Sequence, residues 1–484
     1  MNLSKLLTNV DVRELKGTDL LEITGIAFDS RAVKPGNLFV CISGFQADGH
    51  KYAKTAVEMG AIAIVAEHEI EDIGVSCVLV DNTRLALAQL AAEFYDHPDR
   101  KFCLIGITGT NGKTTTTYLL KSVLEAMGKK VGLIGTNQNM IGTEIIPTHH
   151  TTPDPLEIMR LFSMMADKGA DYVVMEVSSH SLSQDRVAAC SFDVGAFTNI
   201  TQDHLDYHNT MEEYLAAKGI LFSLAKAGAV NIDDSGAEYL LSHHSCEAML
   251  TYGIDKDCAM RASDVELMEN GVKFTLSYED ASYEVELGIP GKFSVYNAMT
   301  ALSCLAAAGI PMRDAVSCLK VARGVKGRVE LVKTGRDYSV IIDYAHTPDG
   351  LLNVISTIQG FAKGRILVVF GCGGDRDKTK RPKMGKIVSQ MADLAIVTSD
   401  NPRTEDPNAI IEDILVGVKE GGGEYVVVPN RFDAIEYALD HAQKDDIILL
   451  AGKGHETYQI LADRTISFDE REIVHKLLHI ATGN

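Results

Sequence analysis

No stretch of this 484-residue sequence approaches the roughly 20 contiguous apolar residues that a membrane-crossing helix needs, so no membrane insertion is expected. The first residues, MNLSKLLTNVDVRELKG, carry Asp11 and Glu14 where a secretory leader would keep its apolar core, which points to a cytoplasmic protein. Cysteine is sparse and unpatterned. Nine residues, an odd number with no CxxC pair, exclude a disulfide framework and a structural zinc site, and leave most thiols as small core residues. An excess of Lys and Arg is also missing: 46 basic residues face 66 acidic ones, and the net charge of −20 repels a polyphosphate backbone and excludes a nucleic-acid binder. Any phosphate handled here must be gripped locally, by backbone amides, a few placed cations and a metal. What remains is 46% hydrophobic residues in short runs interrupted by charge, the composition of a globular enzyme, in a chain long enough for about three domains.

Three textures divide the chain, and the fold class they predict is α/β. Residues 1–98 mix short strands and loops, with Pro35, Gly36 and Gly44 marking turns; the polar Asp96 to Lys101 segment, with Pro98, reads as a linker. Residues 99–327 open with the apolar strand KFCLIGIT, a glycine-rich loop and a helix in which Leu119, Leu120, Val123, Leu124 and Met127 recur, ended by Gly128. VGLIG, DYVVMEV and DVGAFTNI follow as strands of a parallel sheet, and Asn270-Gly271 predicts a hairpin. Residues 328–484 repeat the pattern in YSVIIDYAH, RILVVFGCGG, LAIVTSDNPR, EYVVVPN and DIILLAGKGHE. Each is an apolar strand ending in polar residues, and ligands of open parallel sheets bind beyond such carboxyl ends.

GITGTNGKTTTT, Gly106 to Thr117, lies between strand and helix, where helix N-terminal amides and a lysine hold a phosphate chain. The strict pattern GxxxxGK[ST] fails because Ile107 stands where glycine is required. In this cradle Gly109, Thr110, Asn111, Gly112, Lys113, Thr114 and Thr115 are the candidate nucleotide contacts, Lys113 for the terminal phosphates and Thr114 for Mg²⁺. A glycine-rich turn that happens to carry a lysine is the bland alternative.

TGTNGKTTT resembles the ATP loop of the Mur ligase family, which includes folylpolyglutamate synthetases, and the resemblance extends along the whole chain. It implies three domains: an N-terminal mixed α/β domain that binds UDP, a central P-loop-type ATPase domain with a parallel sheet, and a C-terminal Rossmann-like α/β domain. Glu176 and His204, at strand ends, are similar to the family's Mg²⁺ ligands; alone, Glu176 reads as a solvated strand-end acid. Lys218 matches a lysine that the family carbamylates with CO₂, turning a repelled cation into an anionic oxygen ligand, although alone it reads as a surface lysine on an amphipathic helix. By the same resemblance Ser30 contacts the uridine nucleotide. Thr151, Thr152, Ser178, Gln184 and Arg186 hold a muramoyl dipeptide, with a plain Thr-Thr-Pro turn as the local alternative. Asn297, Arg328, Asp343 and His346 close over the adenosine end of ATP.

DNPR, Asp400, Asn401, Pro402 and Arg403, resembles the signature of members that add meso-diaminopimelate; Arg376, Gly452 and Glu456 complete the implied pocket. Diaminopimelate differs from lysine by a distal carboxylate, which Arg403 can pair in bidentate fashion, while Glu456 can hold an ammonium. The expected activity is therefore ATP-dependent joining of meso-diaminopimelate to a UDP-muramoyl dipeptide through an acyl phosphate, by a monomer. Within the family the rival is a lysine-adding or folylpolyglutamate-type enzyme, which Arg403 and the first region oppose. Outside it stands an ATP-binding regulator or a kinase, which would yield no amide.

Overall fold

The computed structural model describes residues 1–44, 47–147, 150–268, 271–322 and 324–480. By packing, the chain forms two compact units, one of residues 1–106, 129–195 and 220–226, the other of 107–128, 196–219 and 227–484.

In the first unit a five-stranded sheet holds Gly25–Ala27, Asn37–Val40, Ala63–Ala66 and Ser76–Val80 in parallel, with Val12–Lys16 antiparallel at the edge. Three of its strands are buried along their whole length, which is why they read as unbroken apolar runs. The same unit contains Val131–Ile134 parallel to Tyr172–Glu176, extended by the short antiparallel strands Asn139–Ile141 and Glu144–Ile146. Within the Asp96 to Lys101 segment, expected as a linker, Pro98 and Asp99 are buried, and Asp99 Oδ2 accepts a hydrogen bond from Ser191 N at 3.0 Å.

In the second unit the loop after Cys103–Thr108 leads into the helix Lys113–Ala126, closed by Gly128 at φ +78°. The sheet here is mixed rather than parallel throughout. Ala225–Asn231, Ala248–Gly253 and Met260–Met268 run parallel, and Gly271–Tyr278 and Ala281–Leu287 add antiparallel strands. Met268 pairs with Gly271, as the expected hairpin requires, while Asn270 lies outside the described residues.

The final sheet has the order Glu330–Val332, Ser339–Asp343, Ile447–Ala451, Ile366–Phe370, Leu394–Val397, Tyr425–Val427, parallel except for the first strand. Alternate residues feed two cores: Ile341, Val368 and Leu449 on one face, Val340, Ile342, Leu367 and Leu450 on the other. The polar sequences after Asp343, Phe370, Val397 and Ala451 all leave from carboxyl ends of these strands.

Candidate active site

In the phosphate loop Gly109 has φ +144°, and a Cβ there would lie 1.9 Å from Thr198 Oγ1; Gly112, at φ +86°, caps the helix and faces Asn297 Oδ1. Asn111 is fixed from both sides. Its N–H donates to Asn199 Oδ1 (2.9 Å), its Nδ2 to Asp349 Oδ2 (2.8 Å), and its carbonyl accepts from Thr198 Oγ1 (2.6 Å). Thr110 Oγ1 accepts from Thr201 N and lies 3.2 Å from the Tyr214 hydroxyl. Lys113 Nζ folds over its own loop onto the carbonyls of Gly109 and Thr110, both 2.8 Å. Thr115 is buried on the same helix.

Behind the loop, Lys218 is 1% exposed, its Nζ 4.2 Å from the Tyr214 ring centroid. Burial, then the charge of Lys113, push its pKa well below the ordinary lysine value despite Asp203 and Asp234. The lysine read alone as a surface residue is thus a buried amine. His204 adopts φ +54°, with its N–H on Asp203 Oδ1 at 3.0 Å. Asp203 faces His204 (3.4 Å), Lys380 (3.7 Å) and His346 (3.9 Å). Burial raises its carboxyl pKa, but these neighbours more than offset that and hold it below the usual carboxylate range. Asp203, Tyr214, Asp349 and Lys380 were not anticipated, because the pairs Thr110–Tyr214, Asn111–Asp349 and Asp203–Lys380 join residues far apart in sequence.

Arg328 Nη2 donates to Thr114 Oγ1 at 3.2 Å and its guanidinium lies 4.8 Å from the Tyr344 ring centroid, so the structure brings these two predicted residues together. Asp343 ends the strand Ser339–Asp343. Both its oxygens are committed to backbone amides, of Val329 (2.8 Å) and Ala345 (2.8 Å), and burial raises its pKa. Its place is to hold Val329 at φ +45°, a conformation unfavourable for a β-branched residue, and through it the adjacent Arg328.

In the first unit Glu176 is buried, with its carboxylate accepting from Thr136 N and Thr136 Oγ1, both 2.9 Å. The solvated reading of this acid is thereby overturned. Thr152 is buried as well; its hydroxyl donates to Glu176 O and accepts from Ser178 N. Thr151 accepts from Thr136 Oγ1, and Ser178 caps the helix Ser179–Ser183. Arg186 is oriented by Gln184 Oε1 (2.7 Å) and Thr152 O (3.0 Å). Ser30 begins an exposed turn beside the Asp29–Arg31 ion pair.

The DNPR residues sit at the carboxyl end of Leu394–Val397. Arg403, at φ +53°, donates through Nη1 to Gly374 O at 2.8 Å. Burial and the charge of the neighbouring, exposed Arg376 lower the pKa of half-buried Arg403, and the two side chains flank Gly373. Asp400 and Asn401 are buried; Pro402 O packs where a Cβ on Gly374 would come within 1.9 Å, and Gly452, at φ +114°, lets Asp400 approach. Glu456 accepts from Asn401 Nδ2 (2.9 Å) and Lys453 Nζ (3.1 Å), so the ammonium already beside it belongs to the chain.

Among the described residues no three His, Cys, Asp or Glu side chains converge on a metal position. Magnesium takes few protein ligands beside phosphate and water, and the Thr114 hydroxyl, His204 and, if it were carbamylated, the buried Lys218 would fit that sparser set.

Three family models match in series: the Mur ligase family catalytic domain over residues 22–95, the Mur ligase middle domain over 107–305 and the Mur ligase glutamate ligase domain over 327–454. The UDP-N-acetylmuramoyl-L-alanyl-D-glutamate--2,6-diaminopimelate ligase of Caldanaerobacter subterraneus subsp. tengcongensis is 50% identical over 480 residues, 99% of each chain. The Clostridium botulinum protein of the same name is 47% identical over 484 residues, again 99% of each. A solved structure of such a ligase superposes with a TM-score of 0.70 at 29% identity, covering 99% of both chains. The chain is a three-domain α/β protein that belongs to the Mur ligase family.

Proposed function

We propose that this protein is the ATP-dependent ligase that joins the γ-carboxylate of D-glutamate in UDP-N-acetylmuramoyl-L-alanyl-D-glutamate to meso-diaminopimelate, yielding ADP and phosphate, in peptidoglycan precursor synthesis. It acts as a cytoplasmic monomer, with residues 1–98 binding the UDP-muramoyl substrate, 99–327 ATP and 328–484 the amino acid.

A carboxylate resists amines because its charge repels the nucleophile. The glutamate oxygen therefore forms a bond to the γ-phosphorus of ATP as the bond to ADP breaks. The diaminopimelate amine then adds to the acyl phosphate, loses a proton, and phosphate departs. Lys113 and the amides opening the helix Lys113–Ala126 stabilise the transferring charge. Thr114, Glu176, His204 and carbamylated Lys218 are the residues we assign to magnesium, which when bound spreads charge between the phosphates and the acceptor. Ser30, Thr151, Thr152, Ser178, Gln184 and Arg186 serve the nucleotide peptide, Thr152 by bracing the others. Asn297, Arg328, Asp343 and His346 serve ATP.

The observation that carries the amino-acid assignment is that Arg403 and Arg376 both flank Gly373, which makes two like charges neighbours. A distal carboxylate relieves that repulsion, whereas lysine leaves it. Charged hydrogen bonds contribute about 1.5–3 kcal/mol, so discrimination of roughly 100-fold against lysine is expected. The test is ADP release with the UDP-muramoyl dipeptide and a panel of diaminopimelate isomers, lysine and ornithine. Equal kcat/KM for lysine and meso-diaminopimelate would reject the assignment.

A further inference from the structure

Lys453 is a buried cation beside the DNPR segment that no motif singled out. It is 0% exposed, and its Nζ reaches Asn401 Oδ1 (3.1 Å), Glu456 Oε2 (3.1 Å) and Asp400 Oδ1 (3.8 Å). Asn401 in turn donates to Glu456 Oε2 (2.9 Å) and accepts from Ile460 N (3.0 Å), while Arg403 N donates to Ile460 O (3.2 Å). One ammonium thus ties together the strand-end acid, the amide and carboxylate of two loops, and the hairpin strand Tyr458–Ile460 that holds the Arg403 backbone.

We propose that Lys453 is a positioning residue for amino-acid selection, fixing the Glu456 carboxylate and the Arg403 loop at the spacing of the ammonium and carboxylate on the far end of a diamino diacid. This rests on the reading of that pocket given above. The charges support it: Asp400 and Glu456 carry two negative charges, Lys453 cancels one, and one remains for an incoming ammonium. Without Lys453 the buried Asp400 and half-buried Glu456 lose the ammonium they share, and Glu456 loses one of the two donors, Lys453 Nζ and Asn401 Nδ2, that orient it. Arg431, 3.9 Å from Asp400, is engaged with Glu470 and the Ala451 carbonyl and does not reach Glu456 in the same way.

The experiment is steady-state kinetics on Lys453→Met, with Glu456→Gln and the double variant completing a cycle. The KM for meso-diaminopimelate is expected to rise by at least about tenfold, the worth of one charge-assisted hydrogen bond, with the KM values for ATP and UDP-muramoyl dipeptide within about twofold of wild type. The double variant should be no worse than Glu456→Gln, because both changes remove one unit. If all three KM values rise together, or the two losses multiply, Lys453 is merely structural and the proposal is overturned. Should Lys453→Met not fold, Lys453→Gln keeps a donor without the charge and the same split among KM values is read. A wild-type enzyme that uses lysine would reject the pocket reading separately, since the cycle compares variants with wild type on whichever diamine it accepts.

Discussion

A lysine sealed from water holds its proton poorly. For Lys218, burial and the nearby Lys113 both favour the neutral amine, and a neutral amine is the form that adds CO₂, releasing a proton as the carbamate forms. Lys113→Ala and Lys218→Ala are each expected to abolish amino-acid-dependent ADP release, the first by removing the cation proposed for the phosphates, the second by removing the proposed carbamate. Wild-type enzyme stripped of CO₂ should lose most of its activity and regain it with bicarbonate; a Lys218→Ala variant that keeps full turnover, or a wild type indifferent to bicarbonate, would contradict the assignment. The burial of Lys218 was not legible in sequence, because the acidic start of Met211–Ser223 reads as a solvated helix while Tyr214, which covers the amine, reads as an ordinary aromatic. Asp343 shows the converse. Its motif was visible, but only the backbone amides of Val329 and Ala345 reveal that its carboxylate holds Arg328 in place.

The strand, loop and helix that form the phosphate cradle depend on a conformation no side chain tolerates. At Gly109, alanine would combine φ +144° with a Cβ 1.9 Å from the Thr198 hydroxyl, which itself ties down the Asn111 carbonyl. Gly109→Ala is expected to cost about 2–4 kcal/mol and to eliminate ATP turnover, read from the urea midpoint and ADP release; a variant with wild-type midpoint would show that the loop is not held as described. This element was legible because glycine, lysine and a following amphipathic helix leave few other conformations. The inner parallel strands Ile366–Phe370 and Ile447–Ala451 of the final sheet were legible for a similar reason: being buried on both faces, they appear as plain apolar runs. The antiparallel strand Ala281–Leu287 was not anticipated. Its turn is built on Glu279 at φ +52° rather than on a glycine, so the sequence gives no punctuation there.

Across the whole molecule the chain passes between the two compact units five times, and four of those passages occur inside an element: the strands Cys103–Thr108, Phe192–Phe197 and Ala225–Asn231 and the helix Met211–Ser223. An element that ends in one unit and begins in the other cannot melt halfway without losing hydrogen bonds on both sides, so the two units should unfold together. The phosphate loop and its partners Asp349 and Arg328 belong to one unit alone. A non-hydrolysable ATP analogue bound there at 100 times its dissociation constant contributes about 2.7 kcal/mol to the folded state. Spread over the unfolding entropy of a chain this long, that raises the midpoint by about 3 °C. Scanning calorimetry should therefore show one transition that moves as a whole. Two transitions, of which only one responds to nucleotide, would mean that the shared strands and helix do not couple the units.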